Sequence, residues 1–112
     1  MPAPEHQHTL DAKFHALADG TRRALVERLS QGPSSVMDLA EPLPVSLPTV
    51  LKHLAILENG GIVLSEKQGR VRTFRMAPDA FANVERWVAE RKQGWNASFD
   101  RLDQFLSQGE GT

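Results

Sequence analysis

The chain of 112 residues contains no cysteine and no tyrosine. The first absence removes disulfides, thiolate metal sites and cysteine nucleophiles together. There is no glycine-rich phosphate loop either. The Ser, His and Asp residues also lack the spacing of a nucleophile system, so the chain is not expected to be an enzyme or to need a cofactor. No apolar run approaches the roughly 20 residues that a membrane-spanning helix requires. The opening MPAPEHQHTLDAKF has neither a positive region nor an apolar stretch, and the expectation is a soluble cytoplasmic protein. Nor is there a net excess of positive charge: 13 Lys and Arg stand against 14 Asp and Glu.

The distribution of that charge is more informative than its sum. Residues 46–76 carry five Lys or Arg against two Asp or Glu, while the segments before and after are each acidic by two. An acidic body with one basic edge can bind nucleic acid through the edge alone, with an affinity that falls steeply in salt. At this length the chain is a single domain, expected at 9–106, with loose ends at 1–8 and 107–112.

Apolar spacing predicts a helix over Thr9–Ala18, from Leu10, Phe14 and Leu17, and a second over DGTRRALVERLSQG, capped by Asp19 or Thr21 and stopped at Gly32-Pro33. A third, short helix starts at Ser35, which with Asp38 has capping-box spacing, and Pro42 and Pro44 end it. In PVSLPTVLKHLAILENGG, Ser46 is an N-cap, Pro48 falls in the first turn, and Gly60-Gly61 stops the helix. Leu47, Val50, Leu54 and Leu57 give this helix a buried stripe and leave Pro48, Thr49, Lys52 and His53 on the opposite face. The period then becomes alternating: IVLSEKQ and VRTFRM read as two strands around Gly69-Arg70, with Lys67, Gln68, Arg70 and Arg72 at the hairpin tip. A long last helix is expected from Pro78 to Leu106, where Phe81, Val88, Trp95 and Leu102 recur every seven residues, flanked by Val84 and Phe99.

Two short helices joined by a tight turn and followed by a basic hairpin suit major-groove reading, with the hairpin along the phosphates. The runs FHALADGTRRALVERL (14–29), VSLPTVLKHLAILENGGIV (45–63) and KQGRVRTFRM (67–76) resemble the ArsR-type winged helix-turn-helix regulators, most closely their metal-independent branch. The resemblance covers about residues 10–106 and implies a mainly α fold of order ααααββα with a two-stranded wing. It implies a transcriptional repressor that binds a double-stranded DNA operator as a homodimer, its N- and C-terminal helices forming the dimer interface. Operator contacts would come from Ser46, Pro48, Thr49, Lys52, His53, Lys67, Gln68, Arg70 and Arg72. The dimer interface would use Leu10, Phe14, Leu17, Phe81, Val84, Val88, Trp95, Phe99 and Leu102. The family's thiolate motif Cys-Val-Cys-Asp-Leu is matched by Ser35-Val36-Met37-Asp38-Leu39, and the last helix holds no histidine, so neither familiar metal site carries over. Two further departures are Gly20, where proline is frequent, and Leu51, where a small polar residue is common.

Several of these residues admit a second reading. His53 either reaches DNA or anchors packing through one ring nitrogen. Arg22 and Arg23 open a helix whose dipole disfavours cations, so they reach phosphate or pair with an acid such as Asp19. His6, His8 and His15 are either incidental or a histidine-based metal sensor. Trp87 and Trp95 line a ligand pocket or pack in the dimer. A winged-helix module that binds protein is the alternative function, favoured by Pro48, Leu51 and Ile56 and opposed by Lys52, Lys67, Arg70 and Arg72.

Overall fold

A computed structural model describes the backbone of residues 5–110 and the side chains of residues 9–109. The chain divides into two compact units, residues 1–81 and 82–112. The first contains α1 (Glu5–Leu17), α2 (Gly20–Leu29), β1 (Ser34–Ser35), α3 (Val36–Ala40), α4 (Leu47–Asn59), β2 (Val63–Gln68) and β3 (Val71–Met76). The second is α5 (Ala82–Glu110).

The caps explain where the helices begin and end. Asp19 accepts the backbone N–H of Arg22 at the start of α2, and Ser35 accepts that of Asp38 at the start of α3. Gly60 caps α4, and Gly61 beyond it takes a φ of 72°. Its N–H donates to the Glu58 carbonyl and that of Ile62 to the Leu57 carbonyl, the paired bonds of a Schellman motif. Gly60 is also a packing requirement, because a Cβ there would lie 3.3 Å from the Ala12 carbonyl of α1. Helix α1 begins at Glu5, earlier than the Thr9 start that apolar spacing suggests, and thus takes in part of the segment expected to be loose. Residues 1–4 lie outside the described residues, as do 111 and 112.

The core of the first unit gathers Leu25, Val26 and Leu29 of α2, Leu39 of α3, Val50, Leu54 and Leu57 of α4, then Ile62, Val63 and Phe74. Each large aliphatic buried in this way contributes about 1.5–3 kcal/mol. Leu47, assigned to the buried stripe, is instead 38% exposed, since α3 is too short to cover the first turn of α4. The sheet has three strands, not two, in the order β1-β3-β2, all antiparallel. The third strand is Ser34–Ser35, paired to Phe74 and Thr73; a two-residue strand lies below the length at which alternation can be read. The hairpin turns at Gly69, whose φ of 63° suits the first position of a type II′ turn.

Helix α5 starts at Ala82, later than Pro78, and extends past Leu106 to Glu110. Phe81 therefore lies in the preceding turn, partly buried against the core of the first unit. Among the described residues no helix is long and apolar enough to cross a membrane.

Candidate nucleic-acid interface

At about 100° per residue, the helical projection of α4 sets Pro48, Lys52, Ala55 and Asn59 opposite the buried Val50, Leu54 and Leu57. Thr49 and His53 occupy one flank; Leu47, Leu51 and Glu58 occupy the other. The helix-turn-helix pair is α3 and α4, and its second helix presents an outward face that is part cationic and part aliphatic. Ser46 caps it, accepting the Thr49 N–H at 3.3 Å, and the two hydroxyls lie 2.9 Å apart. One hydroxyl hydrogen is consumed between them, which leaves one for an acceptor outside, such as a phosphate oxygen.

His53 is turned inward. Arg22 Nη1 lies 3.2 Å from its Nδ1, and because a guanidinium only donates, Nδ1 accepts and the ring hydrogen sits on Nε2. The same arginine, 8% exposed, donates Nε–H to the Ala16 carbonyl at 2.7 Å and Nη2–H to the His15 carbonyl at 3.0 Å. Arg23 donates to the Leu17 carbonyl at 2.9 Å. Both cations thus avoid the positive end of their own helix by reaching the negative end of α1, whose last carbonyls need donors. Sequence offered phosphate or Asp19 as partners and missed these carbonyls, since nothing local shows that α1 ends beside the start of α2. Asp19 does stand near the cluster, 3.9 Å from His53 Nδ1. Its carboxyl is held below the ordinary carboxylate range, chiefly by the Arg22 backbone N–H against the opposing cost of desolvation, with the nearby Arg22 guanidinium charge adding to the effect.

In the wing, β2 and β3 pair in a register that sets Lys67 directly opposite Arg72. Like charges across a ladder oppose folding, and an anion between them relieves the repulsion. Gln68 faces Val71 on the other side of the ribbon, so alternation separates it from that cationic pair. Arg72 Nη1 donates to Ser65 Oγ at 2.9 Å, and Ser65 donates in turn to the Glu58 carboxylate at 2.9 Å. This relay ties the wing to the last turn of α4 and engages part of the Arg72 charge internally. Lys67 and Arg70 are exposed. Ser65 and Glu58 were not singled out from sequence, because their link depends on strand register.

The residues assigned to a dimer interface fall into two groups. Leu17 and Phe81 pack against the core of the first unit, Leu10 and Val84 are half-buried, and Phe14 is exposed. On α5, Val88, Trp95, Phe99 and Leu102 are exposed, joined by Phe105 at 70% and Leu106. Phe105 falls outside the seven-residue recurrence and was missed for that reason. Arg91 stacks on Trp87 with its guanidinium carbon 5.3 Å from the ring centroid. Among the described residues no cluster of His, Asp and Glu is arranged to hold a metal. The side chains of His6 and His8 lie outside the described residues.

Known proteins share this arrangement. A family profile described as a helix-turn-helix domain matches residues 17–66. The HTH-type transcriptional regulator Rv2034 of Mycobacterium tuberculosis is 46% identical over 103 residues, covering 91% of this chain and 94% of that protein. The arsenical resistance operon repressor of Escherichia coli is 37% identical over 95 residues, 83% of this chain and 78% of that protein. A crystal structure of an ArsR family transcriptional regulator superposes with a TM-score of 0.78 at 42% identity, covering 84% of this chain and 97% of that one. With a capped recognition helix, a basic wing and full-length relatives of this kind, the chain belongs to the ArsR family of winged helix-turn-helix, DNA-binding transcriptional regulators.

Proposed function

We propose that the protein represses transcription by occupying an operator as a homodimer, with α4 in the major groove and the wing on the flanking backbone. One observation carries the reading: an outward α4 face centred on Lys52 stands in the same unit as a wing whose Lys67 and Arg72 are paired across the ladder with Arg70 at its tip. Lys52 and the exposed first turns of α4 address base edges. Ser46, Lys67 and Arg70 address phosphates, and Arg72 joins them with its charge partly engaged by the Ser65–Glu58 relay. Gln68, on the opposite ribbon face, and His53, bonded to Arg22, act in support. Dimer formation is supported by the exposed apolar side chains of the second unit, Val88, Trp95, Phe99, Leu102 and Phe105 on α5. With no cysteine in the chain, any release of the operator is independent of a thiolate metal site.

The test is fluorescence anisotropy with a duplex selected from a random library and with scrambled DNA, over a range of salt. Lys67→Ala and Arg70→Ala each flatten the salt slope by about one and weaken both duplexes alike. Lys52→Ala reduces discrimination by about 1–3 kcal/mol. Unchanged discrimination in Lys52→Ala would show that the outward face of α4 is not the reading face.

A further inference from the structure

The face of α4 that meets DNA in this reading is short of polar groups. Thr49 shares its hydroxyl with the Ser46 cap, and His53 gives its Nδ1 to Arg22. Of the outward residues Lys52 keeps a charged donor and Asn59, in the last turn, an amide, while Pro48 and Ala55 offer none. Beside them Leu51 is 42% exposed, a large aliphatic that shares its flank with the 38% exposed Leu47 of the preceding turn, while Leu54 and Leu57 further along the helix are fully buried. It lies on the same flank as Glu58, seven residues on, where the Ser65–Arg72 relay fastens the wing. Leu51 thus gives an apolar flank to a helix whose outward face carries Lys52 and whose last turn is fastened to the cationic wing.

We propose that Leu51 is a specificity-determining residue that reads a thymine through its C5 methyl group in the major groove. The proposal rests on the DNA-binding reading above. The occupant follows from the surroundings. The cationic wing and Lys52 select a polyanion, and the thymine methyl is the apolar feature that the bases display in the major groove of a duplex. A leucine isobutyl group matches it, and burying the two against each other removes both from water. A protein partner with an apolar face would not need Lys67, Arg70 and Lys52 beside the contact, and its occupancy would be indifferent to DNA chemistry.

The experiment starts from the duplex that the full-length protein selects from a random library. Each thymidine is replaced in turn by deoxyuridine, which deletes the C5 methyl and leaves every base-pairing and groove hydrogen-bonding group in place. Anisotropy measures Kd for the wild type and for Leu51→Ala, a substitution that keeps helix propensity at an exposed site, with circular dichroism as the check on folding. The wild type should lose about fourfold in affinity at one thymine per half-site, which is about 0.8 kcal/mol for one methyl. Leu51→Ala should bind the thymine and uracil versions of that site equally, and sites selected by it should lose the thymine there. Indifference of the wild type to every replacement overturns the proposal, as does an undiminished methyl preference in Leu51→Ala. A library that yields no enriched duplex overturns the DNA-binding reading itself, an outcome distinct from methyl indifference.

Discussion

Replacing Arg22 by methionine keeps the aliphatic volume and removes the guanidinium that closes the end of α1. Two carbonyls, those of His15 and Ala16, lose charge-assisted donors at 3.0 and 2.7 Å, and His53 loses the donor to Nδ1. Hydrogen bonds from a charged group contribute about 1.5–3 kcal/mol each, and one to a ring nitrogen about 1 kcal/mol. Against this, freeing an ordered arginine returns up to about 2 kcal/mol of side-chain entropy, and water reaches part of the vacated site. The net cost is then about 2–3 kcal/mol, or a fall in Tm on the order of 10 °C for a domain of this size. Urea unfolding followed by far-UV circular dichroism measures it, at one fixed protein concentration because a dimer's stability depends on concentration. Arg22→Lys should recover less than half, since an ammonium cannot span three acceptors set around a planar fork. Arg23→Ala, which loses one exposed bond to the Leu17 carbonyl, should cost under about 1 kcal/mol. If Arg22→Met unfolds within about 0.5 kcal/mol of the wild type, the guanidinium is not what holds the α1–α2 corner. If instead it stays stable but loses salt-dependent DNA affinity, Arg22 serves phosphate.

Lys13, 5% exposed, donates to the carbonyls of Ala80 and Gly61, and burial pushes its ammonium below the ordinary value of about 10.5, with Asp79 partly opposing. Between that lowered value and 10.5 the unfolded chain binds the extra proton, so stability rises with pH through this window; with no tyrosine or cysteine to obscure it, Lys13→Met should abolish the rise in urea midpoints. Replacing both Trp95 and Phe99, 53% and 58% exposed on α5, with alanine removes them from both protomers and should weaken dimerisation on the order of a millionfold, at about 2 kcal/mol for each of the four aromatic anchors, so that the variant sediments as a monomer. A wild type that sediments as a monomer at micromolar concentration refutes the homodimer. Arsenite, cadmium, zinc and nickel should leave the DNA complex intact in anisotropy titrations, because Met37 supplies only a neutral thioether where the family's sensors have a thiolate. Metal-driven release that vanishes on deleting residues 1–8 would instead assign sensing to His6 and His8.

The winged helix-turn-helix was legible in the sequence because its determinants are local. Ser35 and Ser46 cap their helices within three residues, Gly60-Gly61 ends α4 through its own backbone, and Gly69 sets the hairpin turn. The period of Val50, Leu54 and Leu57 places the core on one side of α4 and Lys52 on the other. The basic hairpin could likewise be located from composition, since charge clustering needs no tertiary contact to be seen.

What the tertiary structure decided is which polar groups are already engaged. His53 and Arg22 are 31 residues apart, and no spacing rule links them; only the meeting of α1, α2 and α4 turns His53 inward. The register of β2 against β3 set Lys67 opposite Arg72 and brought Ser65 between Arg72 and Glu58, contacts that a shift of one residue would have abolished. Leu47 and Phe81 follow the same principle in apolar form: each fits its periodic pattern, but exposure of the first depends on how far α3 reaches, and burial of the second on where α5 begins. Capping, turning and periodic burial act within a few residues and are written in the chain. Partnership of a buried cation or a strand face depends on distant segments meeting, and that is set only when the core closes.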